Sequence, residues 1–225
     1  MTKTIRLASY NIRKCVGLDR RRNPGRVIEV INGLSADVVV LQEADRRLGL
    51  RPAALPHAML EAETDFRAVD LNASGVSLGF HGNAVLVRRG LSVSNVHLIE
   101  LPGTEPRGAV SVEIGDRIRV IGVHLGLLRR DRRRQLAVIE ARFDDALPTA
   151  ILGDFNEWRA SRGLEALHHG FHIHAPGRSY HAARPVAALD RVALSRGLQL
   201  RDAGVVQTLP ARIASDHLPI WADVA

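Results

Sequence analysis

Apolar stretches in this chain stop, one after another, on a single polar residue. Ile151-Leu152-Gly153 runs into Asp154-Phe155-Asn156, and other runs end in Tyr10-Asn11, Leu41-Gln42-Glu43, Val123-His124-Leu125 and Leu189-Asp190-Arg191, or lead into Ser215-Asp216-His217-Leu218-Pro219. Short apolar runs bounded by turn residues read as buried strands. A polar residue at the end of each would set oxygen and nitrogen donors along one sheet edge, where they can converge on a metal ion or a water. One such ending alone would mark only a turn, since Asp, Asn and Gly are ordinary turn residues. The recurrence is what constrains the fold.

Taken in order, Ile5 to Ile12 alternates as a strand ending on the amide of Asn11. Asn23-Pro24 caps a helix whose Val27, Val30, Ile31 and Leu34 fall on one face. After Ser35-Ala36-Asp37, the continuous Val38-Val39-Val40-Leu41 predicts a strand buried on both faces and ending at Gln42-Glu43. Strand, helix and strand make a βαβ-like unit that places Asn11 and Glu43 on one edge. The stretch 46–82, interrupted by Pro52 and Pro56, carries little pattern.

Asn83 to Val87 predicts a strand, with Leu91 to Leu98 as its hairpin partner. Arg107 to Ile114 and Arg117 to Leu125 predict two more, joined at Gly115-Asp116 by a two-residue turn. The sheet should therefore be mixed. Arg129 to Leu147 predicts an amphipathic surface helix with Leu136, Ile139 and Phe143 inward and a solvated arginine-rich start. A short helix is expected over Ser161 to His169, then a loop crowded with His168, His169, His172, His174 and His181. Those histidines match no established ligand spacing and lack a thiolate partner, so zinc is disfavoured there. Strands at Ala187 to Leu194 and Leu218 to Val224 follow, with no internal repeat.

With 46% hydrophobic residues in 225 and no dividing linker, the expectation is one domain spanning 1–225. Of 31 basic residues two are lysines, Lys3 and Lys14, leaving 29 arginines, whose forked guanidinium suits phosphate. Biased composition or solvated helix faces could also account for them. A single cysteine, Cys15, excludes an internal disulfide framework and fits a reduced setting. The first residues run into strand pattern without a signal-peptide core, and no segment is long and apolar enough to span a membrane. A soluble, cytoplasmic protein is expected, with a monomer favoured and the oligomeric state otherwise open.

With Asn11, Glu43, His124, Asp154, Asn156, Asp190, Asp216 and His217 in order from Tyr10 to Pro219, the chain resembles the endonuclease/exonuclease/phosphatase superfamily. DNase I, apurinic endonucleases, bacterial sphingomyelinases and inositol-phosphate phosphatases belong to it. The resemblance implies a DNase I-like four-layer α/β sandwich: two packed mixed β-sheets flanked by helices, with the site at one edge. It also implies a hydrolase of phosphoric esters using Mg²⁺ or Mn²⁺, with Glu43, Asn11 and Asp216 as metal residues.

By the same resemblance His217 is the catalytic histidine, Asp190 the carboxylate orienting it, and Asp154 and Asn156 position the water or the phosphate. Which group takes the proton stays open. His124 resembles a second catalytic histidine, with a hydrogen-bonded core histidine as the alternative. Arg107 and Asn83 fall where relatives carry phosphate-lining residues. A nuclease without strong sequence specificity, acting on DNA or RNA, is the leading expectation. A phospholipid or small-molecule phosphodiesterase or phosphatase is the alternative, and a catalytically silent binding module is disfavoured. Only 4% of residues are aromatic, which argues against abasic-site recognition by inserted rings.

Overall fold

The computed structural model describes residues 4–47, 49–71, 75–142, 146–159 and 163–225. Its strands are β1 (Ile5–Asn11), β2 (Val38–Gln42), β3 (Phe66–Ala68), β4 (Ala84–Arg88), β5 (Val93–Leu101) and β6 (Arg107–Ile114), then β7 (Ile118–His124), β8 (Thr149–Asp154), β9 (Phe171–His174), β10 (Asp190–Ser195), β11 (Leu200–Val205) and β12 (Ile220–Val224). Four α-helices join them: α1 (Pro24–Asn32), α2 (His57–Glu63), α3 (Arg129–Glu140) and α4 (Leu209–Ala214). The strands make two six-stranded sheets, one ordered β11-β12-β1-β2-β4-β3 and the other β5-β6-β7-β8-β10-β9. Each sheet is mixed: β1 runs parallel to β2 and antiparallel to β12, and β7 runs parallel to β8, which is antiparallel to β10.

Local sequence explains the first unit. Asn23 caps α1 by accepting the Arg26 N–H at 3.1 Å, Pro24 sets its first turn, and Val27, Ile28, Val30 and Ile31 are buried. Three apolar layers then stack. One cluster packs α1, α2 and α4 residues such as Val27, Leu60 and Ala211 on β1, β2 and β4. A second lies between the sheets, where Leu7, Val38, Val40 and Val85 meet Val110, Val120, Leu152 and Val192. The third joins Leu136 and Ile139 of α3 to Ile121, Ile151 and Ala193. Helix, sheet, sheet, helix is the four-layer α/β sandwich. Each fully buried aliphatic side chain contributes about 1.5–3 kcal/mol, so the central layer holds the two sheets face to face.

Two glycines mark how closely the layers approach. A Cβ on Gly122 of β7 would lie 2.6 Å from Val40 Cγ1 of the facing sheet. At Gly153, with φ +152°, a Cβ would lie 1.9 Å from the Val123 carbonyl oxygen.

Several expectations need correction. β5 is not the hairpin partner of β4: it pairs with β6 in the other sheet, while β4 sits between β2 and β3. The chain changes sheets at this turn, which local alternation cannot show. The arginine-rich start of α3 is not wholly solvated, because Arg132 is buried. That helix ends at Glu140, and Phe143 lies outside the described residues. Of the helix expected over Ser161 to His169, a single 3₁₀ turn at Glu165–Leu167 forms, and Ser161 lies outside the described residues. His172 and His174 belong to a strand, β9, and not to a loop. Among the described residues no helix is long and apolar enough to cross a membrane.

Gly153→Ala tests the packing at the strand end. Its Cβ would meet backbone in a left-handed conformation, so the variant should lose about 2 kcal/mol or more in urea unfolding. Parental stability in that variant would show that the strand end is not held as described.

Candidate active site

Strand register assembles the site. His124 lies opposite Asp154 across β7 and β8, and Asp190 lies opposite Asp154 across β8 and β10, so three polar residues form one row at one edge of the second sheet. In the facing sheet Asn11 pairs with Gln42, and Glu43 follows directly. The turn between α4 and β12 adds Asp216 and His217. Glu43 and Asn156 both hold left-handed backbones, φ 53° and 51°. Such strained conformations in non-glycine residues persist where surrounding structure enforces them.

Asp154 is the focus. Its Oδ1 accepts the Asn156 N–H at 2.9 Å and its Oδ2 accepts Asn11 Nδ2–H at 3.1 Å. His124 Nε2 and His217 Nε2 approach the same Oδ2 at 3.5 and 3.6 Å. Burial pushes the Asp154 carboxyl up to about 6, against the pull of His217 and with the help of the Asp190 charge.

Behind His217, its Nδ1 lies 2.8 Å from Asp190 Oδ2, and that oxygen also accepts the Ser179 hydroxyl at 2.5 Å. A carboxylate facing Nδ1 fixes the proton there and leaves Nε2 toward the cleft. Burial opposes a charged imidazole at 217, but the Asp190 and Asp154 charges and the Asp190 hydrogen bond outweigh it and raise His217 to about 9.

His124 goes the other way. Burial, then the positive charges of Arg107, His217, Arg47 and Lys14, hold it well below the ordinary histidine range. Its 3.5 Å approach to Asp154 has the spacing of an ion pair, yet a neutral imidazole makes none. The two histidines facing Asp154 therefore differ in charge.

Asn11, Glu43 and Asp216 line the same cleft. All offer oxygen donors, which suit a hard divalent cation. Cations of the chain itself already seek these groups: Lys14 Nζ pairs with Glu43, Arg47 lies 3.8 Å from it, and Arg13 Nε lies 3.4 Å from Asp216. The donor set fits a metal ion. Ligand atoms of Asp154, Asp190 and His217 also fall within 4.8 Å of one another, a spacing that could hold a metal. Because Asp190 Oδ2 already serves Ser179 and His217, hydrogen bonding accounts for this trio better. The histidines at 168–181 form no comparable group among the described residues.

The cleft encloses about 630 Å³. Arg107 lines it with its guanidinium anchored on Glu105 at 2.6 and 3.0 Å. Asn83 lies off the cleft wall; its amide donates to the Gly108 carbonyl at 2.9 Å and ties β4 to β6. Asn156 lines the cleft while its amide donates to the Leu125 carbonyl at 2.9 Å.

Sequence reasoning missed several groups here. Ser179 and Tyr180 lie in a turn without periodicity, and the Tyr180 ring sits 4.9 Å from that of His217. Leu127 and Trp158 form an apolar wall at 64% and 62% exposure. Arg132 donates to the carbonyls of Gly126 and Leu127 and to Glu157 Oε2 at 2.5 Å, clamping together the loops after β7 and β8.

The sequence pattern of the family described as Endonuclease/Exonuclease/phosphatase matches residues 8–217. The chain belongs to this family. Endonuclease/Exonuclease/phosphatase proteins are phosphoesterases, and this membership makes the chain an enzyme of the phosphoric ester hydrolase type. Uncharacterized protein YbhP of Escherichia coli (strain K12) is 27% identical over 248 residues, covering 98% of this chain and 96% of that protein. Among solved structures, Danio rerio TDP2 complexed with single-strand DNA product superposes with a TM-score of 0.76 at 16% identity, covering 99% of both chains. The mannosyl-6-phosphatase Bt3783 of Bacteroides thetaiotaomicron VPI-5482 gives 0.75 at 14% identity, covering 98% of this chain and 99% of that one. At these identities the likeness is one of fold.

The His217 shift has a stability consequence. Its folded value, about 9, lies above the ordinary 6.5, so protonation stabilises the fold fully below pH 6.5 and that contribution is lost as pH rises through 9. In EDTA, the urea-midpoint difference between parent and His217→Gln should shrink as pH is raised across this window. A constant difference would contradict a charged His217.

Proposed function

We propose that this protein is a divalent-metal-dependent hydrolase of phosphodiester bonds. The observation that carries the reading is one buried carboxyl, Asp154, faced by two imidazoles of different charge in the cleft that also gathers Asn11, Glu43 and Asp216. Glu43, Asp216 and Asn11 would hold the ion, which when bound supplies Lewis-acid charge to the phosphoryl oxygens.

The chain's own residues have distinct work. Asp154, with its affinity for protons raised by burial, takes the proton of the attacking water at Oδ2. His217, charged and fixed by Asp190, sets its Nε2–H against a phosphoryl oxygen as negative charge develops there. Neutral His124 offers its Nε2 side to the phosphate or the departing oxygen without adding a second positive charge. Asn156 holds the Asp154 loop in place through its N–H and its amide. Arg107 adds a fixed positive charge at the cleft wall.

Two substrate classes follow. The arginine surplus supports nucleic acid cut without sequence preference, and the apolar wall of Leu127 and Trp158 supports a diester carried by a lipid or small alcohol. Salt separates them, because displaced counterions give nucleic-acid binding a steep salt dependence that a small diester lacks. Plasmid nicking and hydrolysis of a chromogenic diester, each followed across salt at fixed Mg²⁺, make the comparison.

Hydrolysis should stop in excess EDTA and return with Mg²⁺ or Mn²⁺; full activity in EDTA would refute the metal assignment. Glu43→Gln should need more metal for half-activation, and an unchanged titration would remove Glu43 from the ligand set. Asp154→Ala and His217→Ala should each lower turnover at least roughly a hundredfold at saturating metal. Values within a few-fold of the parent would exclude those roles.

A further inference from the structure

Nine large apolar side chains stand exposed among the described residues, and five of them sit on loops bordering the cleft. Leu127 and Trp158 line it, Leu128 follows Leu127, and Leu50 precedes the cleft-lining Arg51. Val186 belongs to the turn whose N–H donates to the carbonyl of cleft-lining Tyr180 at 2.7 Å. Exposures of 78% for Leu50, 64% for Leu127, 62% for Trp158 and 55% for Val186 leave most of each in water, and Leu128 is 45% exposed. Folding leaves these tips unburied, although other leucines of the chain are fully enclosed.

Arginines interleave with them. Exposed Arg46 and Arg47 share the loop of Leu50, Arg129 and Arg130 follow Leu128, Arg159 follows Trp158, and Arg184 precedes Val186. Arg47 lies 3.8 Å from Glu43, Arg129 is bridged to Glu165 at 2.8 Å and Arg130 lies 3.5 Å from Asp131, while Arg46, Arg159 and Arg184 extend the positive rim. The loops of Leu127 and Trp158 are also held in place. Arg132 fixes the carbonyl of Leu127 and binds Glu157, and Arg191 donates to the carbonyls of Glu157 and Arg159 on either side of Trp158.

An apolar ring rimmed by cations, fixed around the mouth of a phosphate-hydrolysing cleft, has the chemistry of a surface that meets apolar and anionic matter together. Four of the five tips are aliphatic and offer no ring for stacking on a base, which disfavours single-stranded nucleic acid as the occupant. They lie on four separate loops around one opening, which suits a flat surface better than a threaded strand. Trp158 brings the amphipathic ring that favours the boundary between headgroup and acyl chain.

We propose that this rim docks the enzyme on an anionic phospholipid surface, so that a headgroup phosphodiester enters the cleft at Asp154. The headgroup as substrate rests on the phosphodiester-hydrolase reading; docking itself does not.

The test uses vesicles of phosphatidylcholine with and without phosphatidylglycerol, in EDTA so that no turnover occurs. The full chain should sediment with the anionic vesicles, weaken as salt rises, and show a blue shift of Trp158 emission, read in a Trp221→Phe background. The triple variant Leu50→Ser, Leu128→Ser, Val186→Ser should lose at least about tenfold in partitioning, given what each aliphatic side chain gains on leaving water. It should hydrolyse a soluble chromogenic diester, with metal restored, at the parental rate. Equal vesicle binding by parent and triple variant, or no binding to anionic vesicles, overturns the proposal. So does quenching of Trp158 by a single-stranded oligonucleotide with no response to vesicles. Soluble-diester hydrolysis without vesicle binding rejects docking alone, whereas docking without hydrolysis of any diester supports the rim and rejects the hydrolase reading.

Discussion

A buried carboxyl must find partners, and Asp154 finds them in both sheets. Its own sheet supplies the Asn156 N–H, while the facing sheet supplies the Asn11 amide. An ionised oxygen left unpaired at this depth would cost several kcal/mol, so the edges of the two sheets have to meet here with hydrogen-bonding accuracy. The rest of the architecture serves that meeting. Gly122 lets Val40 approach beneath the site, Gly153 takes a conformation closed to other residues, and the valine-rich layer fixes the separation. The site is thus a product of how two sheets close, and not of any single loop.

This explains which parts were legible in the sequence. Runs ending in Asn11, Glu43, His124, Asp154 and Asp190 follow from local composition, and strand register turned them into neighbours. The βαβ start was equally local: a cap, a first-turn proline and one apolar helix face. What failed depended on distant partners. The run at 91–98 looks the same whether it pairs backward with β4 or forward with β6, so the change of sheet was invisible. Asn83 ends its turn as the other polar residues do, yet it spends its amide on a backbone carbonyl. Phe171-His172-Ile173-His174 alternates as a strand should, although its histidines also suit a loop.

Charge separates into roles that composition merges. Arg132 is a buried clamp, Arg6 forms a two-point bond with Asp223 while covering Trp221, and Arg107 is anchored on Glu105 inside the cleft. Others, Arg20 to Arg22, Arg133 and Arg134 among them, stand exposed. A net charge of +7 is therefore a poor guide to a polyanionic partner; the position of each guanidinium decides.

The place of β12 carries a consequence for how the molecule comes to exist. This strand lies between β1 and β11, and β1 pairs it across more than two hundred residues, Ile5 with Val224. Until β12 has left the ribosome, the first strand has an open edge, and the residues just ahead of it, Asp216 and His217, cannot take their places. Closing so long a loop is entropically slow. A nascent chain whose second sheet has formed thus remains chemically inert, acquiring its reactive centre only once Asp216, His217 and β12 have joined the first strand.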